Sequence, residues 1–178
     1  ADWLGEAGQP ANVLTVVQGA GAEGAALAAH PDVAAVSFTG SSAIGKEVRS
    51  VAAARGARVA CEMGGKNALV VMSDADLGAA LDAVSNGAFG TTGQRCTATS
   101  RVFVHTTVRP AFEEGLLERA RGRSLAPLSS QAQERRVRAH LERARGDGVV
   151  AACGGVDIEP TVFFDPPPEH PIATDEVF

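Results

Sequence analysis

The chain has 178 residues, 45% of them hydrophobic, and its 16 basic and 21 acidic side chains give a net charge of -5. This length can bury a core and predicts one domain or two partial ones. The acidic balance, the lack of a basic block and an aromatic content of 4% argue against nucleic acid as a partner.

The apolar runs of the chain are short. None approaches the length of about 20 residues that a membrane-spanning helix needs, and the first residues lack the charged and then apolar pattern of a leader peptide. The three cysteines, at positions 61, 96 and 153, are too few for a disulfide scaffold and form no metal-binding pair with histidine. We therefore expect a soluble cytoplasmic protein with no membrane partner and no metal site.

The chain opens with an apolar run, a glycine turn and an alanine-rich segment. Residues 12–17 predict a strand, residues 23–30 a helix and residues 33–38 a second strand. Strand, helix and strand joined by such short links favour a right-handed parallel crossover.

A second helix and a third strand follow. Ser41 or Ser42 can cap a helix that runs to about Ala54, and residues 57–61 predict the strand after it. The first 62 residues therefore resemble the later half of a nucleotide-binding sheet.

The rest of the chain again alternates between strands and helices. Residues 67–72 form a continuous apolar run, and the short side chains of residues 73–76 can cap a helix over residues 77–89. A glycine- and threonine-rich loop, residues 90–99, then contains Cys96. Further strands are predicted at residues 101–105, 149–152 and 161–164, and further helices at residues 108–121 and 131–145.

Two glycine-flanked turns place a carboxylate and a thiol 34 residues apart. VACEMGGKN (residues 59–67) contains Glu62, and TGQRCT (residues 92–97) contains Cys96. A carboxylate that removes a proton and a cysteine in a loop that a substrate can approach suit covalent catalysis at a carbonyl carbon. Either residue alone has a plainer interpretation, since a lone cysteine is usually a small buried hydrophobe and a glutamate at a strand end is usually exposed.

Four motifs occur along the chain, namely FTGSSAIG (residues 38–45), CEMGGKN (61–67), GQRC (93–96) and EVF (176–178). Together and in this order, they resemble those of the aldehyde dehydrogenase superfamily. From about residue 8 to its end, the chain resembles an incomplete member of the NAD(P)-dependent, non-acylating branch. The resemblance implies an α/β fold. Residues 1–62 would be the C-terminal half of a Rossmann-like nucleotide-binding domain, and residues 63–178 a catalytic domain that is incomplete at its C-terminus.

The resemblance also implies the chemistry. Cys96 would add to an aldehyde and then carry a thioester, and Glu62 would be the general base that activates the water releasing a carboxylic acid. A glutamate at this position disfavours the coenzyme A-acylating branch. The backbone N–H of Cys96 is one expected donor to the oxyanion, whereas the family's second donor, an upstream asparagine, has no match in the chain.

Six residues match the family's cofactor-binding positions, and they imply NAD or NADP as the cofactor. Gly40 and Ser41 lie at a strand-to-helix turn that offers amides and a helix dipole to a pyrophosphate. Gly21 and Gly24 match small residues near the adenosine, although this glycine spacing is also that of an ordinary helix start. The remaining two are Glu176, expected at the nicotinamide ribose, and Phe178, expected near the nicotinamide ring.

Lys66 and Asn67 have a structural interpretation, in which their polar groups tie a strand to a turn. Two internal loops, residues 121–128 and 154–158, are shorter than is usual in the family. Its members commonly form homodimers or homotetramers.

Two other functions stay open. An incomplete nucleotide-binding sheet leaves edges for another chain to cover, so a catalytically inactive scaffold or assembly domain is the main alternative. An acyl-transferring enzyme that uses Cys96 without nicotinamide is the third.

Overall fold

The structure is a computed structural model that describes residues 2–10 and 13–178. It divides into two compact units, residues 1–62 and residues 63–178, called here the first unit and the second unit. Their assignment to a nucleotide-binding and a catalytic domain stays a prediction.

Among its described residues, the first unit contains three helices and two paired strands. In chain order these are α1 (Asp2–Glu6), α2 (Gly21–Ala29), β1 (Ala35–Gly40), α3 (Ser42–Ala54) and β2 (Arg58–Met63), whose last residue lies just past the boundary. The helix predicted at residues 23–30 and the strands predicted at residues 33–38 and 57–61 are thus confirmed, with ends shifted by one or two residues.

Local hydrogen bonds explain where α2 and α3 begin. The Glu23 carboxylate accepts a hydrogen bond from the N–H of Ala20 at 2.7 Å, and Ser41 Oγ accepts one from the N–H of Ile44 at 3.4 Å. Both satisfy amides that the first turn of a helix leaves unpaired.

Arg55, which follows α3, joins elements distant in sequence. Its guanidinium donates to the carbonyl oxygens of Ala28 at 3.0 Å and of Val33 at 2.5 Å. It therefore ties the end of α3 to the end of α2 and to the segment that leads into β1.

The strand predicted at residues 12–17 is wrong for the part that the structure describes. Asn12 lies outside the described residues, and residues 13–17 have no regular secondary structure. Their large apolar side chains are exposed, at 57–69% for Val13, Leu14, Val16 and Val17. A strand is stable only beside a partner that takes up its backbone hydrogen bonds, and no described strand pairs with this segment.

The second unit contains four strands and four helices among the described residues. In chain order these are β3 (Asn67–Val71), α4 (Leu77–Phe89), β4 (Thr99–Val104), α5 (Arg109–Arg121), α6 (Gln131–Gly146), β5 (Ala151–Cys153), β6 (Val162–Phe163) and α7 (Pro171–Thr174), and a 3-10 turn, Gly90–Gly93, follows α4. β3 and β4 are parallel, and β5 and β6 are antiparallel.

The core of this unit lies where β3 meets α4 and α5. Its buried members are Val71, Leu81, Val84, Phe112 and Leu116. α4 begins at a side-chain cap, because Asp76 Oδ1 accepts a hydrogen bond from the N–H of Ala79 at 3.0 Å.

The parallel pairing of β3 and β4 decides where the cysteine loop lies. In this register the first residue of β3, Asn67, pairs with the first residue of β4, Thr99. The loop that precedes β4 and contains Cys96 is therefore brought next to the start of β3.

Candidate active site

Cys96 lies at the corner of a tight turn in the second unit. The N–H of Ala98 donates to the carbonyl of Arg95 at 3.0 Å, which closes the turn with Cys96 at its first corner. The Cys96 side chain is exposed. Its backbone N–H makes no hydrogen bond to any residue that the structure describes. The turn thus presents a thiol and an unpaired N–H from the same residue.

The backbone before this turn adopts an unusual conformation. Three successive residues have positive φ, at 55° for Thr91, 56° for Thr92 and 73° for Gly93. Left-handed geometry is costly for a β-branched residue and is found most often at functional sites, where the surroundings impose it. Here Thr91 Oγ1 accepts a hydrogen bond from Arg95 Nε at 2.8 Å, and Thr92 Oγ1 donates to the Ala126 carbonyl at 3.0 Å.

Gln94 anchors the loop to the segment before α6. Its Nε2 donates to Ser129 Oγ at 3.0 Å, and its Oε1 accepts from the N–H of Ser129 at 2.9 Å. This two-point contact joins residues 35 positions apart, and no motif in the sequence predicts it.

Asn67 holds the other side of the turn. Its Nδ2 donates to the carbonyl oxygens of Cys96 at 2.7 Å and of Ala98 at 3.1 Å. The structure therefore shows the tie between strand and turn that the structural interpretation of Asn67 describes.

Glu176 lies against the glycine pair that follows Glu62 in sequence. A Cβ added at Gly64 would collide with the Glu176 carboxylate, whereas one at Gly65 would make only an ordinary contact with Asn67, at 3.7 Å. Gly64 therefore provides the space that the carboxylate occupies.

Lys66 places a basic group near the carboxylates of Asp175 and Glu176. Burial lowers the pKa of the Lys66 ammonium, and the positive charge of Arg101 lowers it further. The carboxylates of Asp175 and Glu176 oppose this shift. The pKa of Lys66 thus depends in part on the acidic residues Asp175 and Glu176.

The Phe178 side chain is 39% exposed, and α6 holds its backbone. The side-chain amide of Gln133 donates to the carbonyl oxygen of Val177 at 3.4 Å and to that of Phe178. Gln133 was not among the residues singled out in the sequence.

Glu62 belongs to the first unit, and its side chain is exposed in β2. Its neighbour Cys61 is half-buried, with Sγ 3.6 Å from the carbonyl oxygen of Gly45. Because side chains alternate along a strand, Glu62 is directed away from the face of β2 on which Cys61 meets Gly45.

The predicted cofactor residues of the first unit lie where two helices begin. Helix geometry leaves the N–H groups of Ser42 and Ala43 without an intrahelical acceptor, and these amides follow Gly40 and Ser41 at the positive end of α3. No atom lies within 4 Å of the position that a Cβ would take at Gly21 or Gly24. The surface at these residues is open enough for a ligand to approach the backbone.

An open cleft of about 880 Å³ lies within the second unit. Its charged lining includes Lys66, Arg95, Arg101, Glu113 and Glu176. Arg95 and Ala98 line this cleft and Cys96 does not, so the geometry of the cysteine turn identifies the candidate site better than the volume of the cleft.

Two further properties follow from the described residues. No cluster of three or more His, Cys, Asp or Glu side chains in them is arranged to hold a metal ion. No helix in the same part of the chain combines the length and apolar character needed to cross a membrane.

The comparison with protein families decides the relationship. The model of the aldehyde dehydrogenase family matches residues 1–178. The chain belongs to this family. The resemblance carried by the four sequence motifs is thereby confirmed.

Curated relatives agree with this result. The α-ketoglutaric semialdehyde dehydrogenase of Bacillus subtilis is 40% identical over an alignment of 195 residues with its gaps. This alignment covers 97% of this chain and 40% of the relative. The betaine aldehyde dehydrogenase of Cereibacter sphaeroides is also 40% identical, over 100% of this chain and 40% of the relative. The chain thus spans about 40% of the length of the curated relatives it matches.

Solved structures show the same fold. A betaine aldehyde dehydrogenase from Staphylococcus aureus in complex with NAD+ has a TM-score of 0.91 and 28% identity, over 99% of this chain and 39% of that one. A 1-pyrroline-5-carboxylate dehydrogenase from Thermus with bound NAD has a TM-score of 0.90 and 31% identity, over 99% of this chain and 38% of that one. The predicted α/β fold of aldehyde dehydrogenase type is confirmed.

Proposed function

We propose that the protein carrying this chain oxidises an aldehyde to a carboxylic acid with NAD+ or NADP+, with Cys96 as nucleophile and Glu62 as general base. The observation that carries the proposal is the turn that exposes the Cys96 thiol beside an unpaired N–H of the same residue. Membership of the aldehyde dehydrogenase family supports the same chemistry.

The first step forms a carbon–sulfur bond. The Cys96 thiolate attacks the carbonyl carbon of the aldehyde, and the electron pair of the C=O bond moves to oxygen. The backbone N–H of Cys96 donates a hydrogen bond to this oxyanion, where negative charge develops. A donor that is already oriented stabilises the transition state without reorganising during the reaction.

A bound nicotinamide would supply the acceptor for a hydride, and loss of that hydride from the thiohemiacetal carbon would leave Cys96 carrying a thioester. Glu62 then removes a proton from water, which attacks the thioester carbon and expels the Cys96 thiolate. The product is a carboxylate, and Cys96 returns to its starting form.

The residues expected to hold the cofactor are distributed over both units. In the first unit, Gly40 and Ser41 would bind the pyrophosphate through the start of α3, and Gly21 and Gly24 would face the adenosine. In the second unit, Glu176 would bind the nicotinamide ribose, and the Phe178 ring would pack near the nicotinamide. The open surface at Gly21 and Gly24 is compatible with this assignment.

The names of the relatives suggest a substrate class. Those named here are dehydrogenases of α-ketoglutaric semialdehyde and of betaine aldehyde. We therefore expect a small aldehyde that carries a charged group. A cytoplasmic homodimer or homotetramer stays a prediction from the family resemblance.

The test is turnover of an aldehyde panel by the whole protein with NAD+ and with NADP+, measured from the absorbance of the reduced cofactor. Cys96→Ala is expected to abolish turnover because no nucleophile remains. Cys153→Ala is the matched control, since this half-buried thiol packs against the carbonyl of Pro160, and it should retain activity. A folded protein without turnover on any panel member would instead favour the inactive scaffold.

Glu62→Gln tests the hydrolysis step. Acylation is expected to survive while hydrolysis of the thioester slows, so that a burst of reduced cofactor is followed by a stall. Glu47→Gln, an exposed position on α3, is the control and should show a normal steady rate. A normal steady rate in Glu62→Gln itself would remove the general-base assignment.

A further inference from the structure

We propose that Asn67 is a positioning residue for the nucleophile, because its side-chain amide holds the turn that presents Cys96. This inference rests on the proposed function of Cys96 and adds a residue whose role there is to fix the geometry of the turn.

The contacts use both hydrogens of the amide group. One Nδ2 hydrogen can serve the carbonyl oxygen of Cys96 at 2.7 Å and the other that of Ala98 at 3.1 Å. Carbonyl oxygens only accept hydrogen bonds, so the nitrogen side of the amide must face them, and the orientation of this side chain is determined. The two carbonyls are held on the Asn67 side of the turn.

The position of Asn67 in the sheet explains why it reaches the turn. Asn67 pairs with Thr99 and Ala68 with Arg101, so the register shifts and Ser100 is an extra residue on β4. Such bulges re-aim side chains at the ends of ladders. Ser100 Oγ also donates to the backbone carbonyl of Asn67 at 3.3 Å. The backbone of Asn67 is therefore held by the neighbouring strand β4.

Holding the Cys96 carbonyl limits how the Cys96 residue, and with it the Cα–Cβ bond that carries the thiol, can turn in the loop. The peptide that joins Cys96 to Thr97 is planar, so holding its oxygen limits rotation about the Cα–C bond of Cys96. Gln94 and Thr92 anchor the part of the loop that precedes Cys96, and Asn67 anchors the part that follows it. Without Asn67, the sulfur and the N–H of Cys96 would lose their fixed place relative to the rest of the loop.

The main test compares Asn67→Ala and Asn67→Asp in the whole protein. Both variants lose the donor, and kcat is expected to fall about tenfold or more, because small displacements of reacting groups are costly. The KM for NAD+ should stay within about twofold, since Asn67 is expected to affect orientation rather than uniform binding. Asn86→Asp is the matched control. Asn86 Oδ1 accepts from Arg123 on the exposed face of α4, and aspartate keeps that acceptor, so activity should be unchanged.

A second measurement separates this inference from the proposed function. Iodoacetamide alkylation of each cysteine, followed by peptide mass spectrometry, needs neither an aldehyde nor a cofactor. The rate of Cys96 alkylation is expected to change about threefold or more in both Asn67 variants, because the thiol loses its fixed place in the turn and a hydrogen bond contributes about that much. Cys153 should react as in the unaltered protein. If the unaltered protein oxidises no aldehyde, the proposed function fails while the alkylation rates still test the positioning.

Three results would overturn the positioning role. The first is an Asn67→Ala variant with unaltered kcat and Cys96 alkylation. The second is slowing in Asn67→Asp alone, which would show an effect of the added charge. The third concerns Asn67→Leu, which has a similar volume and no donor and serves as a further variant if Asn67→Ala does not fold. Its kcat should fall as in Asn67→Asp, and a kcat equal to that of the unaltered protein would exclude the positioning role.

Discussion

The two units differ in how much apolar surface they bury. In the first unit, the buried apolar side chains among the described residues are Ala28 and Ala52, while Leu27, Ile44 and Val51 are 42–51% exposed. The second unit encloses a contiguous core, which consists of Val71, Leu81, Val84, Phe112 and Leu116. Because burial of large apolar groups is the dominant stabilising term in folding, the second unit has an internal source of stability that the described part of the first unit lacks.

The candidate site residues of the two units also differ, in how far apart in sequence the residues that hold them lie. The start of α3 at Gly40 and Ser41 is organised by a cap within four residues of sequence. The Cys96 turn depends on hydrogen bonds from Asn67 and on the anchoring of Gln94 by Ser129, which join residues 29 to 35 positions apart. Local chemistry shapes the site residues of the first unit, whereas tertiary contacts shape those of the second.

The largest effect is expected from the core of the second unit. Phe112 is 1% exposed, so Phe112→Ala should lower the free energy of unfolding by about 3–5 kcal/mol through lost burial and a cavity. Chemical denaturation measures this loss, and amide hydrogen exchange should place it in residues 63–178.

Two exposed positions serve as controls for Phe112→Ala. Phe103, in the same unit, is 55% exposed, and Leu27, in the first unit, is 51% exposed. Phe103→Ala and Leu27→Ala should each change the free energy of unfolding by less than about 1 kcal/mol. Losses equal to that of Phe112→Ala would contradict the difference between the units.

A smaller effect is expected at the contact between Gly64 and Glu176. Gly64→Ala should displace the Glu176 carboxylate and raise the KM for NAD+ about tenfold, because a small displacement of a positioning group has a large effect. The matched control is Gly65→Ala, where a Cβ meets only Asn67, at 3.7 Å. Steady-state kinetics with varied NAD+ measure both variants, and equal KM values would argue against a cofactor role for Glu176.

The smallest loss of stability is expected when one helix cap is removed from each unit. Ser41→Ala and Asp76→Ala each remove a side chain that accepts a first-turn hydrogen bond, and each should cost about 1 kcal/mol of stability. Thermal or chemical unfolding measures the loss. If Ser41 also contributes to the pyrophosphate site, the KM for NAD+ should rise in Ser41→Ala and not in Asp76→Ala. A parallel rise in both variants would mean that the cap of α3 has no specific role in cofactor binding.

Much of the fold could be predicted from local sequence. The helices α3, α4, α5 and α6 and the strands β1 to β4 follow from apolar periodicity, caps and glycine turns. Residues 13–17 have an equally strand-like pattern and form no strand. Periodicity reports which side chains suit a strand but does not report whether a partner strand lies beside it.

The candidate site was only partly visible in the sequence. The motif around Cys96 singled out the thiol, and the turn at residues 95–98 places it at an exposed corner. The contacts of Gln94 with Ser129 and of Gly64 with Glu176 had no sequence signal, because each joins distant segments through side-chain geometry.

The sequence by itself determined the family and most of the helices and strands, and it singled out Cys96 and Glu62 as candidates, because motifs and periodicity are properties of neighbouring residues. Only the tertiary structure decided which groups hold the cysteine turn. The parallel register that pairs Asn67 with Thr99 brings the start of β3 to the loop before β4. Such pairing depends on backbone hydrogen bonds between segments that local patterns describe separately.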